Sequence, residues 1–175
     1  MALDPFVVGV ARLRTQLGAT NACHVEGQFD PDGELAATSP GESEVPPGAA
    51  ASFDGLLESI PKGIAVSGVV ESSWIGVCRR CAVATGGSLS ASVRERYVES
   101  AGTEDEAYPL EGDLLDLGPM IRDAVVLELP LAPLCREDCQ GLCAQCGADL
   151  NLGECSCEGP MDPRWATLDL LRKPE

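Results

Sequence analysis

Aromatic side chains, basic residues and histidine are scarce in this chain of 175 residues. Three Phe, two Trp and two Tyr are too few for the aromatic platform on which single-stranded nucleic acids stack. Twelve Lys and Arg stand against 28 Asp and Glu, so the formal net charge is −16 and the pI is about 4.3. Because this charge repels phosphate, sequence-independent binding to nucleic acid or to an anionic membrane is disfavoured.

Long hydrophobic runs are also missing, and we expect that the first residues of this sequence are not a secretory signal. No stretch reaches the roughly 18 consecutive apolar residues that a membrane helix needs. The apolar run at residues 6–11 is too short for a secretory signal, and neither a basic region before it nor a cleavage site after it is present. We therefore expect a cytoplasmic protein with no membrane partner, in which thiols stay reduced.

Catalytic groups are as sparse as aromatic ones. The only histidine, His24, directly follows Cys23, and on a strand these side chains point to opposite faces, which disfavours a Cys–His dyad. The sequence contains no phosphate-binding loop of the GxxxxGK[ST] type. With no acid–base pair and no open metal position, we expect a protein that is not an enzyme and has no small-molecule substrate.

Cysteine, in contrast, is abundant and clustered. Of nine cysteines, Cys23 stands alone, a pair lies in mid-chain, and six are crowded near the C-terminus. Clustered cysteines in a reducing compartment indicate metal binding. The clustered residues are Cys78 and Cys81 in mid-chain and Cys135, Cys139, Cys143, Cys146, Cys155 and Cys157 near the C-terminus.

The segment Cys143-Ala-Gln-Cys146-Gly147 has the spacing of a zinc knuckle. Two intervening residues let both thiolates point at one ion, and Gly147 permits the tight backbone that follows. Cys155 and Cys157 can supply the other two ligands of a tetrahedral site. Four thiolates leave no position for a substrate, so we expect a structural Zn²⁺ here.

The remaining cysteines suggest a second zinc site. Cys78-Arg-Arg-Cys81 has the same two-residue spacing, and Cys135 and Cys139 can complete it if the chain folds back. Two alternatives stay open: a single zinc that recruits Cys139, or an iron–sulfur cluster on four of these thiolates.

The pattern of apolar residues predicts an α+β protein with a mainly antiparallel sheet. Strand-like stretches lie at residues 5–10, 24–29, 53–60, 64–77 and 82–98, and a helical turn follows the first of them. An amphipathic helix is expected near 117–129 and a short terminal helix at 162–172. We expect a sheet-based core at 1–130, with mobile loops at 31–50 and 99–116, followed by a cysteine-rich zinc module at 131–175.

Charge is distributed unevenly along the chain. Residues 1–98 carry seven basic and eleven acidic residues, whereas residues 99–175 carry five and seventeen. The acidic half is suited to a basic partner. A local positive patch made of Arg79, Arg80, Arg94 and Arg96 is the alternative, and it would contact RNA phosphates or neighbouring carboxylates.

The cysteine motifs also carry a resemblance to a known family. The C-terminal run is Cys135-Arg-Glu-Asp-Cys139-Gln-Gly-Leu-Cys143-Ala-Gln-Cys146-Gly147-Ala-Asp-Leu-Asn151, followed by Cys155-Ser-Cys157 and Asp162-Pro163-Arg164. This run resembles the C-terminal signature of the YceD family, the large ribosomal RNA subunit accumulation proteins of bacteria and plastids. Cys78-Arg-Arg-Cys81 is similar to the C-x-R-C element of that family.

The resemblance implies a factor in assembly of the large ribosomal subunit, associated with accumulation or processing of its rRNA. Together with the acidity, it leads us to expect a non-enzymatic protein that binds a basic ribosomal protein or a large-subunit precursor. Two other functions remain open: an RNA-binding module that uses zinc knuckles and the arginine patch, or a redox or metal sensor that uses labile thiolates.

Overall fold

The computed structural model describes residues 4–30, 32, 41–99 and 107–157. A six-stranded sheet dominates this part of the chain, accompanied by a two-stranded sheet and two helices. The elements are β1 (Val7–Gly9), α1 (Ala11–Arg14), β2 (Thr20–Phe29), β3 (Ser43–Glu44), β4 (Ala49–Ile60), β5 (Gly63–Val77), β6 (Ala84–Val98), β7 (Tyr108–Pro109), β8 (Leu114–Asp116) and α2 (Gly118–Glu128).

The main sheet has the strand order β2-β4-β5-β6-β7. The first four strands pair antiparallel, and only β7 runs parallel to its neighbour β6. The three long strands predicted in the middle of the chain are confirmed as β4, β5 and β6, and along much of each strand buried residues alternate with more exposed ones. The described chain is thus sheet-dominated with two helices, broadly an α+β protein.

One face of this sheet is covered and carries the core. Phe53, Val66, Val70 and Tyr97 are all fully or almost fully buried there. Phe53 fits because Gly68 leaves room for its ring, and a Cβ at that position would lie only 2.8 Å from the ring. The opposite face of the sheet is exposed.

Helix α2 covers the buried face beside β5 and β6. The carboxylate of Asp116 accepts a hydrogen bond from the backbone N–H of Gly118 at 2.9 Å, which places an acceptor at the start of the helix. Met120, Ile121 and Val125 are buried on one side of it. The helix predicted near 117–129 is therefore confirmed, with Pro119 in its first turn.

Two stretches that we expected to be loops contain strands in their described parts. Within 41–50, β3 pairs with β5 and Val45 is completely buried. Within 107–116, β7 pairs with β6 and β8 pairs with β1. Strands of two or three residues are too short to show an alternating pattern, so their burial is not visible in the sequence.

Other expectations fall on residues that are not described. The terminal helix expected at 162–172 lies outside the described residues, as do residues 31, 33–40 and 100–106 of the expected loops. Among the helices that are described, none is long and apolar enough to cross a membrane.

Candidate functional site

Eight cysteines form two groups of four, each compact enough to surround one ion. We call Cys78, Cys81, Cys135 and Cys139 the sheet tetrad, and Cys143, Cys146, Cys155 and Cys157 the C-terminal tetrad. Within each tetrad all four Sγ atoms lie within 4.8 Å of one another. This is the grouping that the cysteine spacing favoured for the C-terminal tetrad and suggested, beside two alternatives, for the sheet tetrad.

The sheet tetrad begins at the turn between β5 and β6. Cys78 directly follows β5, and its backbone N–H donates to the carbonyl of Val83 at 2.8 Å. Ala82, directly after Cys81, has a φ of 57° and donates its N–H to the carbonyl of Cys78 at 2.8 Å. This tight turn directs the thiols of Cys78 and Cys81 toward the segment that follows α2.

The C-terminal tetrad is built on a similar turn. Gly147 directly follows Cys146, has a φ of 72°, and donates its N–H to the carbonyl of Cys143 at 2.9 Å. The expectation that Gly147 permits a tight backbone is therefore confirmed. The backbone N–H of Gln145 also points at the Sγ of Cys143, at 3.4 Å.

The distances between sulfur atoms fit a single tetrahedral ion. In the sheet tetrad the Sγ atoms of Cys78 and Cys139 are 3.8 Å apart, and those of Cys81 and Cys135 are 3.6 Å apart. A tetrahedron with metal–sulfur bonds of about 2.3 Å has edges of ~3.8 Å. A disulfide would need about 2.0 Å. An iron–sulfur cluster spreads its thiolates over several irons, whereas these four enclose the space of one ion.

The two tetrads differ in burial. In the sheet tetrad Cys78, Cys81 and Cys139 are 2%, 6% and 1% exposed, and Leu134 packs against them, whereas Cys135 is exposed. In the C-terminal tetrad, by contrast, Cys146 is exposed and the other three cysteines are half-buried. A metal in the sheet tetrad would therefore be held by three buried thiols and one exposed thiol, whereas one in the C-terminal tetrad would have no buried ligand.

The sheet tetrad joins two distant parts of the chain. Beside the thiols, the backbone N–H of Arg79 donates to the carbonyl of Pro133 at 3.0 Å. The guanidinium of Arg80 donates to the carbonyl of Cys139 at 2.7 Å. These contacts hold the segment after α2 against the end of the sheet.

Asn151 supports the sheet tetrad from outside, a role that the cysteine spacing does not predict. Its side-chain carbonyl accepts the N–H of Gln140 at 2.8 Å, and its amide lies 3.6 Å from the Sγ of Cys139. A second bond runs from that amide to Asp149 at 2.6 Å. Outer groups of this kind orient metal ligands. Asn151 is the last residue of the cysteine-rich run that begins at Cys135, but spacing alone does not connect it to Cys139.

Hydrogen bonds prepare one cysteine of each tetrad for ionisation. A hydrogen bond from the backbone of Cys135 is the largest cause that lowers the pKa of Cys78 to about 6. Backbone N–H groups of Cys146 and Gln145 lower the pKa of Cys143 to about 6. Desolvation, the largest cause for Cys135, raises its pKa to about 12. A cation between the thiols would favour the fully ionised form.

The four arginines do not form the single patch that we expected. Arg79 and Arg80 lie in the turn before β6, whereas Arg94 and Arg96 lie near the far end of that strand. Ala84 and Arg94 are ten positions apart on an extended strand, a separation of roughly 30 Å. Arg94 and Arg96 are exposed and share one face of the sheet.

Cys23 and His24 occupy opposite faces of β2, as predicted. Cys23 is buried, and desolvation raises the pKa of its thiol. His24 is exposed, and its Nδ1 lies 2.7 Å from a carboxylate oxygen of Asp54, directly opposite on β4. This pair could not be predicted, because the register of β2 on β4 is not visible in the sequence.

Comparison with known proteins relates this geometry to a family. The family described as "Large ribosomal RNA subunit accumulation protein YceD" matches residues 66–172, which include both tetrads. An uncharacterised protein of Mycobacterium tuberculosis is 35% identical over 180 residues, covering 98% of this chain and 84% of the relative. An uncharacterised protein of Mycobacterium leprae is 33% identical over 135 residues, covering 73% of this chain and 62% of the relative.

A plant relative carries the family description in its name. The chloroplastic "Large ribosomal RNA subunit accumulation protein YCED homolog 1" of Arabidopsis thaliana is 40% identical over 50 residues, covering 29% of this chain and 16% of the relative. No solved structure matches the chain. The family match spans more than half of the sequence and the mycobacterial similarity nearly all of it, so the chain belongs to the YceD family.

Proposed function

We propose that this protein is a non-enzymatic factor in biogenesis of the large ribosomal subunit. It acts in the cytoplasm by binding a basic ribosomal protein or a large-subunit precursor. The family description supports the ribosomal part of the proposal. The observation that carries the mode of action is the acidity of the described surface around α2 and the cysteine tetrads.

That surface contains far more acidic than basic residues. Residues 107–157 include nine acidic side chains, but their only basic ones are Arg122 and Arg136. All nine acidic side chains except the half-buried Asp149 are exposed. Such a predominantly negative surface attracts a cationic partner over a distance of about a Debye length.

Zinc in both tetrads is the second part of the proposal. Four thiolates and one Zn²⁺ carry a net charge of −2 and leave no coordination position for a substrate, which is typical of a structural site. The soft sulfur donors and the near-tetrahedral spacing of the Sγ atoms support zinc over a hard cation such as Mg²⁺. Zinc would thus stabilise the fold and make the chain still more acidic.

Affinity purification of the full chain from its own cells tests the proposal. At low ionic strength we expect a large-subunit precursor or basic ribosomal proteins to copurify, and the yield should fall steeply as salt is raised. Identification of both RNA and protein in the eluate separates protein binding from direct RNA binding. Recovery of no ribosomal component at low ionic strength would contradict the proposal.

Direct RNA contact is the second candidate, and it would be local. Arg94 and Arg96 are exposed and two residues apart on β6, so they can face one phosphate backbone together. We expect Arg94→Ala with Arg96→Ala to leave precursor binding intact if protein contacts dominate. Loss of binding to a large-subunit rRNA fragment in this variant would favour the RNA-binding function instead.

A further inference from the structure

Strand β6 has one edge that is almost unpaired. It pairs with β5 along its whole length, from Ala84 to Val98. On its other side the described residues supply only β7, which pairs at Tyr97 and Val98. Within the described part of the chain, residues 84–96 therefore present an open edge.

The direction of the backbone groups on this edge follows from one hydrogen bond. The carbonyl of Val98 accepts the N–H of Leu110 at 2.9 Å, next to β7, so Val98 directs its backbone away from β5. Backbone groups of a strand alternate sides with a period of two. The N–H and C=O groups of Ser88, Ser90 and Ser92 consequently point to the open edge as well.

The part of the open edge that precedes Arg94 carries none of the features that usually prevent strand pairing. Residues 84–93 contain no charged residue and no proline. Proteins commonly protect exposed edges with lysine, proline, bulges or a covering element. A long edge without such protection is suited to accept an added strand from another chain.

A groove runs along this edge, between β6 and α2. It has a volume of about 460 Å³, and Met120, Ala124 and Leu127 supply its apolar side. Leu127 is 83% exposed, although the rest of its helix face packs on the sheet. A strand added to β6 would place alternate side chains in this groove, where they would cover Leu127.

The groove is also acidic. Glu95 on β6 and Asp123 and Glu128 on α2 contribute carboxylates, and no basic side chain lines it. Asp123 accepts a hydrogen bond from the hydroxyl of Tyr108 at 2.6 Å, which fixes its position at one end. An occupant with lysine or arginine at alternate positions would complement these charges.

We propose that the open edge of β6 and the adjoining groove bind an extended basic segment of a partner protein by strand addition. This proposal rests on the proposed function and specifies which part of a basic partner is recognised. The backbone of the segment pairs with Ser88, Ser90 and Ser92, and its basic side chains meet Glu95 and Glu128.

The first test uses a synthetic peptide of alternating lysine and valine, with a glutamate–valine peptide as control. Amide hydrogen exchange of the zinc-loaded full chain reports which backbone groups become protected. We expect the basic peptide to protect Ser88, Ser90 and Ser92, while Leu89 and Ala91, already bonded to β5, change little. The acidic peptide should protect none of them.

Two substitutions locate the interaction. Ser90→Pro removes an outward N–H without removing a bond to β5, and we expect the dissociation constant of the basic peptide to rise about tenfold. Ser90→Ala keeps the N–H and should bind as the native chain does. Circular dichroism and thermal unfolding show whether the proline variant is folded.

Charge variants provide an independent measure that does not depend on the proline. Glu95→Gln with Glu128→Gln should weaken binding about fivefold at low salt, and the loss should shrink as salt is added. Glu26→Gln with Glu71→Gln removes the same charge from the opposite, exposed face of the sheet and should have little effect. A larger loss in this control pair would overturn the proposal.

Occupancy of the edge by the chain itself would also overturn it. Protection of Ser88, Ser90 and Ser92 without peptide would show that the chain itself occupies the edge. Protection that grows with protein concentration would indicate a second copy, and protection that does not would indicate a segment of the same chain.

The strand-addition proposal and the proposed function can be contradicted separately. If ribosomal components copurify equally with native chain and Ser90→Pro, the strand-addition site is wrong while the proposed function stands. If the peptide binds but no ribosomal component copurifies, the strand-addition site stands while the proposed function is wrong.

Discussion

Ala82 and Gly147 occupy equivalent positions in the two cysteine knuckles, and both have a left-handed backbone. Their φ angles are 57° and 72°. Each directly follows the second cysteine of its knuckle and donates its N–H to the carbonyl of the first, at 2.8 Å and 2.9 Å. The two knuckles therefore share one backbone geometry, although only the second has the residue that adopts it without strain.

Ala82→Gly should stabilise the zinc-loaded protein. A left-handed conformation costs an L-residue about 1–2 kcal/mol, whereas the added freedom of glycine in the unfolded chain costs about 0.4–1 kcal/mol. We expect the free energy of unfolding in urea to increase by about 0.5–1 kcal/mol. A decrease would show that the turn depends on the methyl group of Ala82 rather than on its backbone angle.

Gly147→Ala is the reciprocal change, and it should weaken the C-terminal tetrad. No atom lies within 4 Å of a Cβ built at Gly147, so the substitution introduces backbone strain without a clash. Because metal binding and folding are coupled in such modules, we expect zinc affinity of this tetrad to fall about fivefold. Competition with a chelator of known affinity measures the zinc affinity of this tetrad. An unchanged affinity would contradict the inferred strain.

Tyr97→Phe should stabilise the core. The Tyr97 side chain is 1% exposed, and its hydroxyl has no hydrogen-bond partner among the described residues. Removing an unsatisfied buried hydroxyl should raise the free energy of unfolding by about 1 kcal/mol. Tyr108, stacked on it with ring centroids 5.2 Å apart, donates to Asp123, so Tyr108→Phe should destabilise instead.

The pH dependence of stability is a second way to test the burial of the Tyr97 hydroxyl. Burial, the largest cause, raises the pKa of Tyr97 well above its ordinary value. Above pH ~10 the unfolded chain therefore loses a proton that the folded chain keeps, and the stability of the native protein falls as pH rises. We expect Tyr97→Phe to lose less stability than the native chain between pH 9 and 11. Parallel curves would contradict the raised pKa.

The sequence predicted those parts of the fold that repeat a pattern. Strands β4, β5 and β6 are long enough to show alternation, and the cysteine spacings predicted the C-terminal tetrad and suggested the sheet tetrad as one of the arrangements left open. Burial of Val45 was not predictable, because β3 contributes only two residues to the sheet. Its position depends on the length of β5, which extends beyond its pairing with β4.

The supporting contacts of the site were not predictable for a different reason. Arg80 acts on the carbonyl of Cys139, and Asn151 acts on its Sγ and on a neighbouring N–H. Such contacts depend on how the chain folds back, which residue spacing does not contain. The expected arginine patch does not form as one surface, because the length of the extended strand β6 separates Arg80 from Arg94.

Asn151→Ala should lower the metal affinity of the sheet tetrad without removing a ligand. The change deletes the amide beside Cys139 and the carbonyl that holds Gln140, so the loop carrying Cys139 loses its orientation. We expect affinity to fall about tenfold. Gln145→Ala is the matched control, because only the backbone N–H of Gln145 bonds to a thiol. Equal losses in both variants would contradict the role of Asn151.

Loss of one thiol from each tetrad should have unequal effects on the sheet. Cys139 is 1% exposed, and its tetrad joins the turn between β5 and β6 to the segment after α2. Cys146 is exposed, and its tetrad lies wholly within residues 143–157. Metal binding contributes folding free energy only where its ligands are organised. We therefore expect Cys139→Ser to destabilise the sheet directly, and Cys146→Ser to loosen the C-terminal segment and to affect the sheet only weakly, through Asn151.

Metal content and hydrogen exchange together decide this prediction. The native chain should contain two zinc ions, and each variant should contain about one, since three thiolates hold zinc less tightly than four. Exchange of β5 and β6 amides should accelerate strongly in Cys139→Ser and much less in Cys146→Ser. Equal acceleration in both variants would mean that the two sites unfold as one unit. A native chain without zinc would contradict the structural role assigned to both tetrads, because the thiols would then be held without an ion.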